Sequence, residues 1–579
     1  MTGSSTTERP ADPTDAGLPE ALRQVRDRVA EVRLGLLTPA TERATRSARA
    51  VVEQVDDYLL PRLRDLDAPL LAVVGGSTGA GKSTLVNSLV GTEVSSAGVL
   101  RPTTRAPVLL CAEADRHWFT ADRVLPALAR TTGAESGTGA MRLVPMAGLP
   151  PGLALLDAPD VDSVVESNRD LAAQLLAAAD LWLFVTTAAR YADAVPWDVL
   201  RSAQERATAL AVVLDRVPPE AVGTVEDDLR AMLARAGLDT ARLFVVRERP
   251  LTAGLLPADE VAALREWLHA LSADADARAA VVRQTLSGAL DSMDGRVTSL
   301  VEAVEDQQVA AGALDEAASS AYGLAGSEVD DGVRGGTLLR GEVLARWQDF
   351  VGTGELMRSL EARFGRLRDR VTATLTGRVT PAAELQGALE SSVETLLRTT
   401  ADRAAERTVT AWRATTGGAE LLRGHERELD RASPTFAERA AAEVRDWQGE
   451  VLELVRAEGA GKRSAARFLS FGVNGAGLAV MVAVFAHTGG LSGGEVLVAG
   501  GTSAASQKLL EVVFGDAAVR TLAARARADL TARSDRLLAQ EQSRFTSLVE
   551  QAVPAGDTAA ALRVALAALA TARRADGRT

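Results

Sequence analysis

The sequence predicts an α/β unit with a doubly wound, mostly parallel sheet, joined to a long α-helical bundle or stalk that carries an apolar helical hairpin. Three observations predict it. Short β-branched or leucine-rich runs alternate with helical stretches between residues 68 and 255, the pattern of strands linked by crossover helices. Beyond residue 255 the apolar residues recur at helical spacing. Within that helical half, residues 468–507 hold only one Asp, Glu, Lys or Arg, Glu495, and nine glycines.

At 579 residues the chain exceeds one ordinary core, so two or three structural units are expected. Aromatics make up only 4% while Ala, Leu, Arg and Glu dominate, which favours long helices over a β-rich fold. The net charge of -13 argues against a broad nucleic-acid surface, and no nucleic-acid partner is expected. A single cysteine, Cys111, excludes an intramolecular disulfide. The polar N-terminus lacks the apolar core of a signal peptide, so a cytoplasmic protein is expected.

In chain order, residues 1–17 are rich in Ser, Thr, Pro, Asp and Gly and read as a disordered tail. Residues 18–67 have a helical pattern and are expected to pack with the helical bundle. The α/β unit, residues 68–255, has strand candidates at Leu70 to Val74, Pro107 to Cys111, Leu153 to Leu156, Leu181 to Val185, Leu210 to Leu214 and Leu243 to Val246. A helical stalk spans residues 256–467. One of its stripes runs through Val282, Leu286, Leu290, Met293, Val297, Leu300 and Val304, and a second through Leu360, Phe364, Leu367, Val371 and Leu375. Such stripes are packing seams. The apolar hairpin (468–507), C-terminal helices (508–572) and a short tail (573–579) complete the chain.

The chemistry concentrates after the first strand. In LLAVVGGSTGAGKSTLVNSLVG an apolar run leads into Gly76-Ser77-Thr78-Gly79-Ala80-Gly81-Lys82-Ser83-Thr84, and a helical pattern begins at once. This is a P-loop in its required strand-to-helix setting. Glycines let the backbone amides wrap around phosphates, and the following helix N-terminus adds its positive dipole end. Lys82 should reach the β- and γ-phosphates, and the Ser83 hydroxyl should ligate Mg²⁺. Asp157, at the end of the run Leu153-Ala-Leu-Leu-Asp157, is the expected Walker B carboxylate for that ion.

The loop Gly98-Val-Leu-Arg-Pro102-Thr103-Thr104-Arg-Ala-Pro resembles the switch I segment of Era-like and dynamin-like GTPases. That resemblance implies a threonine on Mg²⁺ and the γ-phosphate, with Thr104 first and Thr103 the alternate. Asp157-Ala-Pro159-Asp160 is similar to the Asp-x-Pro-Gly of switch II, with Asp160 in place of glycine. Its carboxylate is repulsive to a γ-phosphate unless it turns away. Position 161 is Val, so no glutamine orients water there, and Gly79 stands where dynamins place a cation-binding serine. After the strand Leu210 to Leu214, Asp215-Arg216-Val217-Pro218 occupies the place of the guanine-reading Asn/Thr-Lys-x-Asp. Asp215 and Arg216 are the base-site candidates, and ATP stays open beside GTP. Thr186 to Trp197 looks like a segment shared among bacterial relatives of dynamins and could form a switch-linked contact surface.

Phe468 to His487 is long enough to cross a bilayer core of about 30 Å. Gly489, Gly490, Gly493 and Gly494 then suggest a turn into a short return run. Arg456, Lys462, Arg463 and Arg467 precede the segment and Lys508 follows it, which suits anionic headgroups on the cytoplasmic leaflet. A buried small-residue hairpin in a soluble bundle is the alternative. A nucleotide domain followed by long helices with an apolar hairpin near their far end resembles the bacterial dynamin-like proteins. The resemblance implies a membrane-associated GTPase using GTP and Mg²⁺, and self-association or a related dynamin-like partner. A soluble Era-like GTPase acting on an assembly such as the ribosome, and a nucleotide-binding scaffold without turnover, remain as rivals.

Overall fold

The computed structural model of the chain describes residues 17–95, 106–120, 124–125, 128–131, 140–163, 166–205, 208–334, 343, 345–346, 381–459, 482–483 and 516–577. Thr103 and Thr104, the stripe at Leu360 to Leu375 and all of 468–507 except Val482 and Ala483 lie outside the described residues. The described chain divides into two compact units, residues 1–32, 40–305 and 555–579 in one and residues 33–39 and 306–554 in the other.

The first unit is built on one sheet. Its strands are β1 (Leu70–Gly76), β2 (Val108–Cys111), β3 (Ala129–Thr131), β4 (Ala140–Pro145), β5 (Leu153–Asp157), β6 (Leu181–Thr187), β7 (Ala209–Val217) and β8 (Arg242–Arg247). They lie in the order β3-β4-β2-β5-β1-β6-β7-β8. All neighbours are parallel except β2 and β5. The six expected strands are present. Beside them stand β3 and β4, which lack a clean apolar run because Arg130 and Arg142 interrupt them.

Every residue of β1, β5 and β6 is buried, as a parallel sheet covered on both faces requires. Strand alternation sorts them. Leu70, Ala72 and Val74 join one core with Leu85, Leu264 and Leu268, while Leu71 and Val73 join another with Phe119, Leu175 and Leu176.

Helix Leu18–Glu31 buries Leu18, Leu22, Val25 and Val29 and packs on helix Thr558–Ala575, so the two ends of the chain meet within this unit. The N-terminal helices thus belong with the sheet and the C-terminal helix. The sequence-derived division placed them with the helical bundle. The compact unit also extends past residue 255, because the stripe Val282, Leu286, Leu290, Met293, Val297, Leu300 and Val304 of helix Ala275–Arg334 is wholly buried. The C-terminal helix runs to Ala575, past its expected end at 572.

Asp180, in the turn before β6, ties the N-terminal helices to the sheet. Its carboxylate pairs with Arg62 at 3.1 Å, accepts from the Leu71 amide at 2.8 Å and from Tyr58 Oη at 3.2 Å. Arg62 also donates to the Ala68 carbonyl at 3.0 Å. Burial pushes the Asp180 carboxyl up, and Arg62, the Leu71 amide and Tyr58 pull it back.

The second unit is helical. Its core joins Leu314, Ala318 and Tyr322 to Leu385, Leu389, Val393 and Leu397 of helix Pro381–Arg413, to Val444, Trp447 and Val451 of helix Phe436–Gly459, and to Leu530, Leu537 and Phe545 of helix Asp516–Ala552. Its two buried indoles are satisfied at their polar ends, Trp412 Nε1 donating to the Leu314 carbonyl and Trp447 Nε1 to that of Ala526. Val482 and Ala483, the described residues of the apolar segment, are buried in this same core. No helix among the described residues is long and apolar enough to cross a membrane.

Removing one partner of a buried ion pair strands the other charge. Arg62→Met is expected to destabilise the first unit by about 3–5 kcal/mol, read by chemical denaturation of the full chain. A loss below about 1 kcal/mol, the range of exposed pairs, would show that Asp180 is held by its other partners alone.

Candidate phosphate and metal site

The parallel pairing of β1 with β5 sets the site. Register aligns Val74 with Asp157 and, across β6, Gly76 with Val185. The loop leaving β1 therefore emerges beside the carboxyl end of β5, the crevice where open α/β sheets bind ligands. Gly76 has φ +150° and a Cβ there would overlap the Val185 carbonyl oxygen. Gly81 caps helix Lys82–Val90 in a left-handed conformation, φ +92°, and a Cβ there would strike the Asp215 carboxylate. Both positions need glycine for conformation and for space.

Lys82 is nearly buried and its ammonium donates to the Gly76 carbonyl at 3.0 Å, to the Ser77 carbonyl at 3.0 Å and to Asp160 Oδ1. Ser83 Oγ donates to Asp157 Oδ2 at 2.7 Å. Ser95 Oγ donates to the same oxygen at 2.6 Å. Ser95 is placed there by Asn87, whose side chain accepts from the Val94 and Ser95 amides and donates to the Ser95 carbonyl. Asp157 is fully buried, and its other oxygen, Oδ1, has no hydrogen-bond partner among the described residues. Burial pushes its carboxyl up, Asp160 adds to this, and Ser95, Ser83 and Lys82 oppose it.

A hydroxyl and a carboxylate in contact, with one carboxylate oxygen buried and unpaired, suit a small hard cation. Their oxygens fit magnesium. No group of three or more His, Cys, Asp or Glu side chains able to hold a metal occurs among the described residues, and a magnesium ion held largely by phosphates and water needs none.

A second set of contacts grips the tip of the phosphate loop. Asp162 Oδ1 accepts from Thr78 N at 2.5 Å and from Thr78 Oγ1 at 2.7 Å. Arg190 donates to Asp162 Oδ2 at 3.0 Å, to the Thr78 carbonyl at 2.9 Å and to Asp193 at 2.9 Å. Burial pushes the Asp162 carboxyl up, but the Thr78 hydrogen bonds and Arg190 outweigh it and leave the group below the ordinary carboxylate range.

The structure thus brings together the loop Gly76 to Thr84, Asp157 and Asp160. Asp215 also reaches the loop, beneath Gly81, whereas the Arg216 side chain is exposed and only its amide, donating to Asp215 Oδ1 at 2.8 Å, takes part. Thr103 and Thr104 lie outside the described residues. Ser95, Asp162 and Arg190 escaped sequence reasoning. The one available signal was that Arg190 falls in the Thr186 to Trp197 segment.

No protein-family model and no curated protein matches this chain. Among solved structures it is similar to two described as an oligomerised bacterial dynamin pair in the long-range sensing and tethering of membranes. One is 12% identical, covers 99% of this chain and 96% of its own, with a TM-score of 0.39. The other is 12% identical over 97% and 95%, with a TM-score of 0.37. It is also similar to Era in complex with MgGDPNP and nucleotides 1506–1542 of 16S ribosomal RNA, at 18% identity over 35% of this chain and 56% of that one, TM-score 0.24. The sheet and its glycine loop are those of a P-loop nucleotide-binding fold, with a helical unit beside it in the chain.

Burial pushes the Asp215 carboxyl up to about 6, against about 3.9 in an unfolded chain. The folded state therefore holds this proton more tightly, and the stability it contributes is present below about pH 4 and lost as pH rises through 6. Asp215→Asn is expected to stabilise the first unit by about 3 kcal/mol at pH 7.5. The gain should nearly vanish at pH 4, as measured by thermal unfolding at the two pH values.

Proposed function

We propose that the chain is a dynamin-like, magnesium-dependent GTPase that couples nucleotide binding and hydrolysis to rearrangement of its helical part at a lipid bilayer. The observation that carries the nucleotide half is the meeting of Lys82, Ser83 and Asp157 at the carboxyl ends of β1 and β5, with one buried Asp157 oxygen unpaired. Amides of the loop Gly76 to Thr84 would cradle the β-phosphate, and Lys82 would neutralise the β- and γ-oxygens. Ser83 and Asp157 would hold magnesium, directly or through water, and by the switch I resemblance Thr104 would be a further ligand. When bound, that ion supplies charge stabilisation for phosphoryl transfer. Asp162 and Arg190 keep the loop tip at Thr78 in shape. Asp215 holds the place in the chain of the guanine-reading motif and would face the base, and it alone does not choose guanine over adenine.

The membrane half rests on the charge-free run Phe468 to His487 and its basic flanks, with self-association and residence at the cytoplasmic face of the cell membrane following from the resemblance. A second reading draws on Val482 and Ala483, which are buried in the core of the helical unit. On that reading the hairpin packs within its own bundle and the protein is a soluble Era-like GTPase.

Turnover of GTP and ATP, each with and without anionic liposomes, separates these readings. The proposal expects magnesium-dependent GTP hydrolysis, stimulated several-fold by liposomes that also sediment the protein. Turnover without binding or stimulation by lipid selects the soluble reading. Tight GTP binding with no turnover in any condition selects a scaffold.

A further inference from the structure

The Lys82 ammonium has three N–H bonds and three acceptors: the Gly76 carbonyl, the Ser77 carbonyl and Asp160 Oδ1. A phosphate oxygen can reach the nitrogen only by replacing one of them. Two are main-chain oxygens of the loop itself. The third sits on a side chain, and it carries the one negative charge of the three.

Backbone contacts hold Asp160 over the loop. Ala158 N donates to the Val74 carbonyl at 3.2 Å and Val161 N to the Gly76 carbonyl at 3.3 Å, so residues 158–161 run along the end of β1. Asp162 fastens the next turn to Thr78. The ion pair is largely shielded from water, with side-chain exposures of 5% for Lys82 and 14% for Asp160, so its charge is weakly screened. Asp160 follows Asp157 by three residues and its carboxylate meets Lys82, the neighbour in the chain of Ser83, which itself donates to Asp157, so its charge stands at the end of the site where the proposed magnesium ligands lie. That is the side on which the last phosphate of a triphosphate would add its charge.

We propose that Asp160 is a built-in competitor for Lys82 that biases the phosphate site toward nucleoside diphosphates, so that a triphosphate binds only by displacing this carboxylate. This rests on the P-loop reading of Gly76 to Thr84. Asp160 is a specificity-determining residue, acting on the relative affinity of the two nucleotides.

The test is equilibrium titration of the full-length chain with Mg·GDP and with a non-hydrolysable Mg·GTP analogue, repeated with the adenine pair. Wild type is compared with Asp160→Asn, which keeps the shape and removes the charge, and with Asp160→Gly, which decides the matter should the first variant fail to fold. In the variants the triphosphate is expected to gain at least tenfold in affinity while the diphosphate changes by less than threefold. An unchanged ratio of the two affinities in both variants overturns the role of Asp160. Failure of wild type and variants to bind any of these nucleotides overturns the P-loop reading itself.

Discussion

The site depends on one constraint, the parallel register that sets the end of β1 beside the end of β5. It aligns Val74 with Asp157, so the loop that begins at Gly76 and the helix that begins at Lys82 turn back over a buried carboxylate. Parallel pairing needs a crossover and two covered faces. The leucine- and valine-rich strands supply those faces, splitting alternate residues between two cores. The contacts on Asp157 hang from that register: Ser83 on one carboxylate oxygen and Ser95 on the same oxygen.

The loop is held by charge as well as by conformation. Asp160 engages Lys82 and Asp162 engages Thr78, so two carboxylates two residues apart grip the base and the tip of one phosphate cradle. Partly buried carboxylates of this kind are costly unless hydrogen-bonded or paired, and each here has its partner. Asp157 differs. One of its oxygens accepts two hydroxyls and the other accepts nothing among the described residues. A fully buried oxygen left in that condition suits a cation, which is the physical ground of the magnesium proposal.

Much of this was legible in the sequence because it is local. The strand runs are contiguous and apolar, the phosphate loop is a strand-glycine-helix pattern, and Asp157 closes a buried run. The strands β3 and β4 were not legible because arginines break their runs, and their pairing is decided by neighbours distant in sequence. Ser95, Asp162 and Arg190 act through contacts between separate loops, which no spacing rule encodes. The grouping of helix Leu18–Glu31 with helix Thr558–Ala575 was hidden for the same reason: each is an ordinary amphipathic helix, and nothing local names its partner. Asp160 was visible as a departure from the switch II pattern, but its hold on Lys82 needed the structure.

The central claim is that Ser83 and Asp157 form the magnesium end of a triphosphate site. The most direct measurement is the affinity of the full-length chain and of its Ser83→Ala variant for a non-hydrolysable GTP analogue, with magnesium and with the metal chelated. Wild type should lose at least tenfold in affinity when magnesium is removed, whereas Ser83→Ala should bind weakly and almost equally in both conditions. Wild-type binding that is indifferent to magnesium, or a variant that keeps the full magnesium dependence, would contradict it.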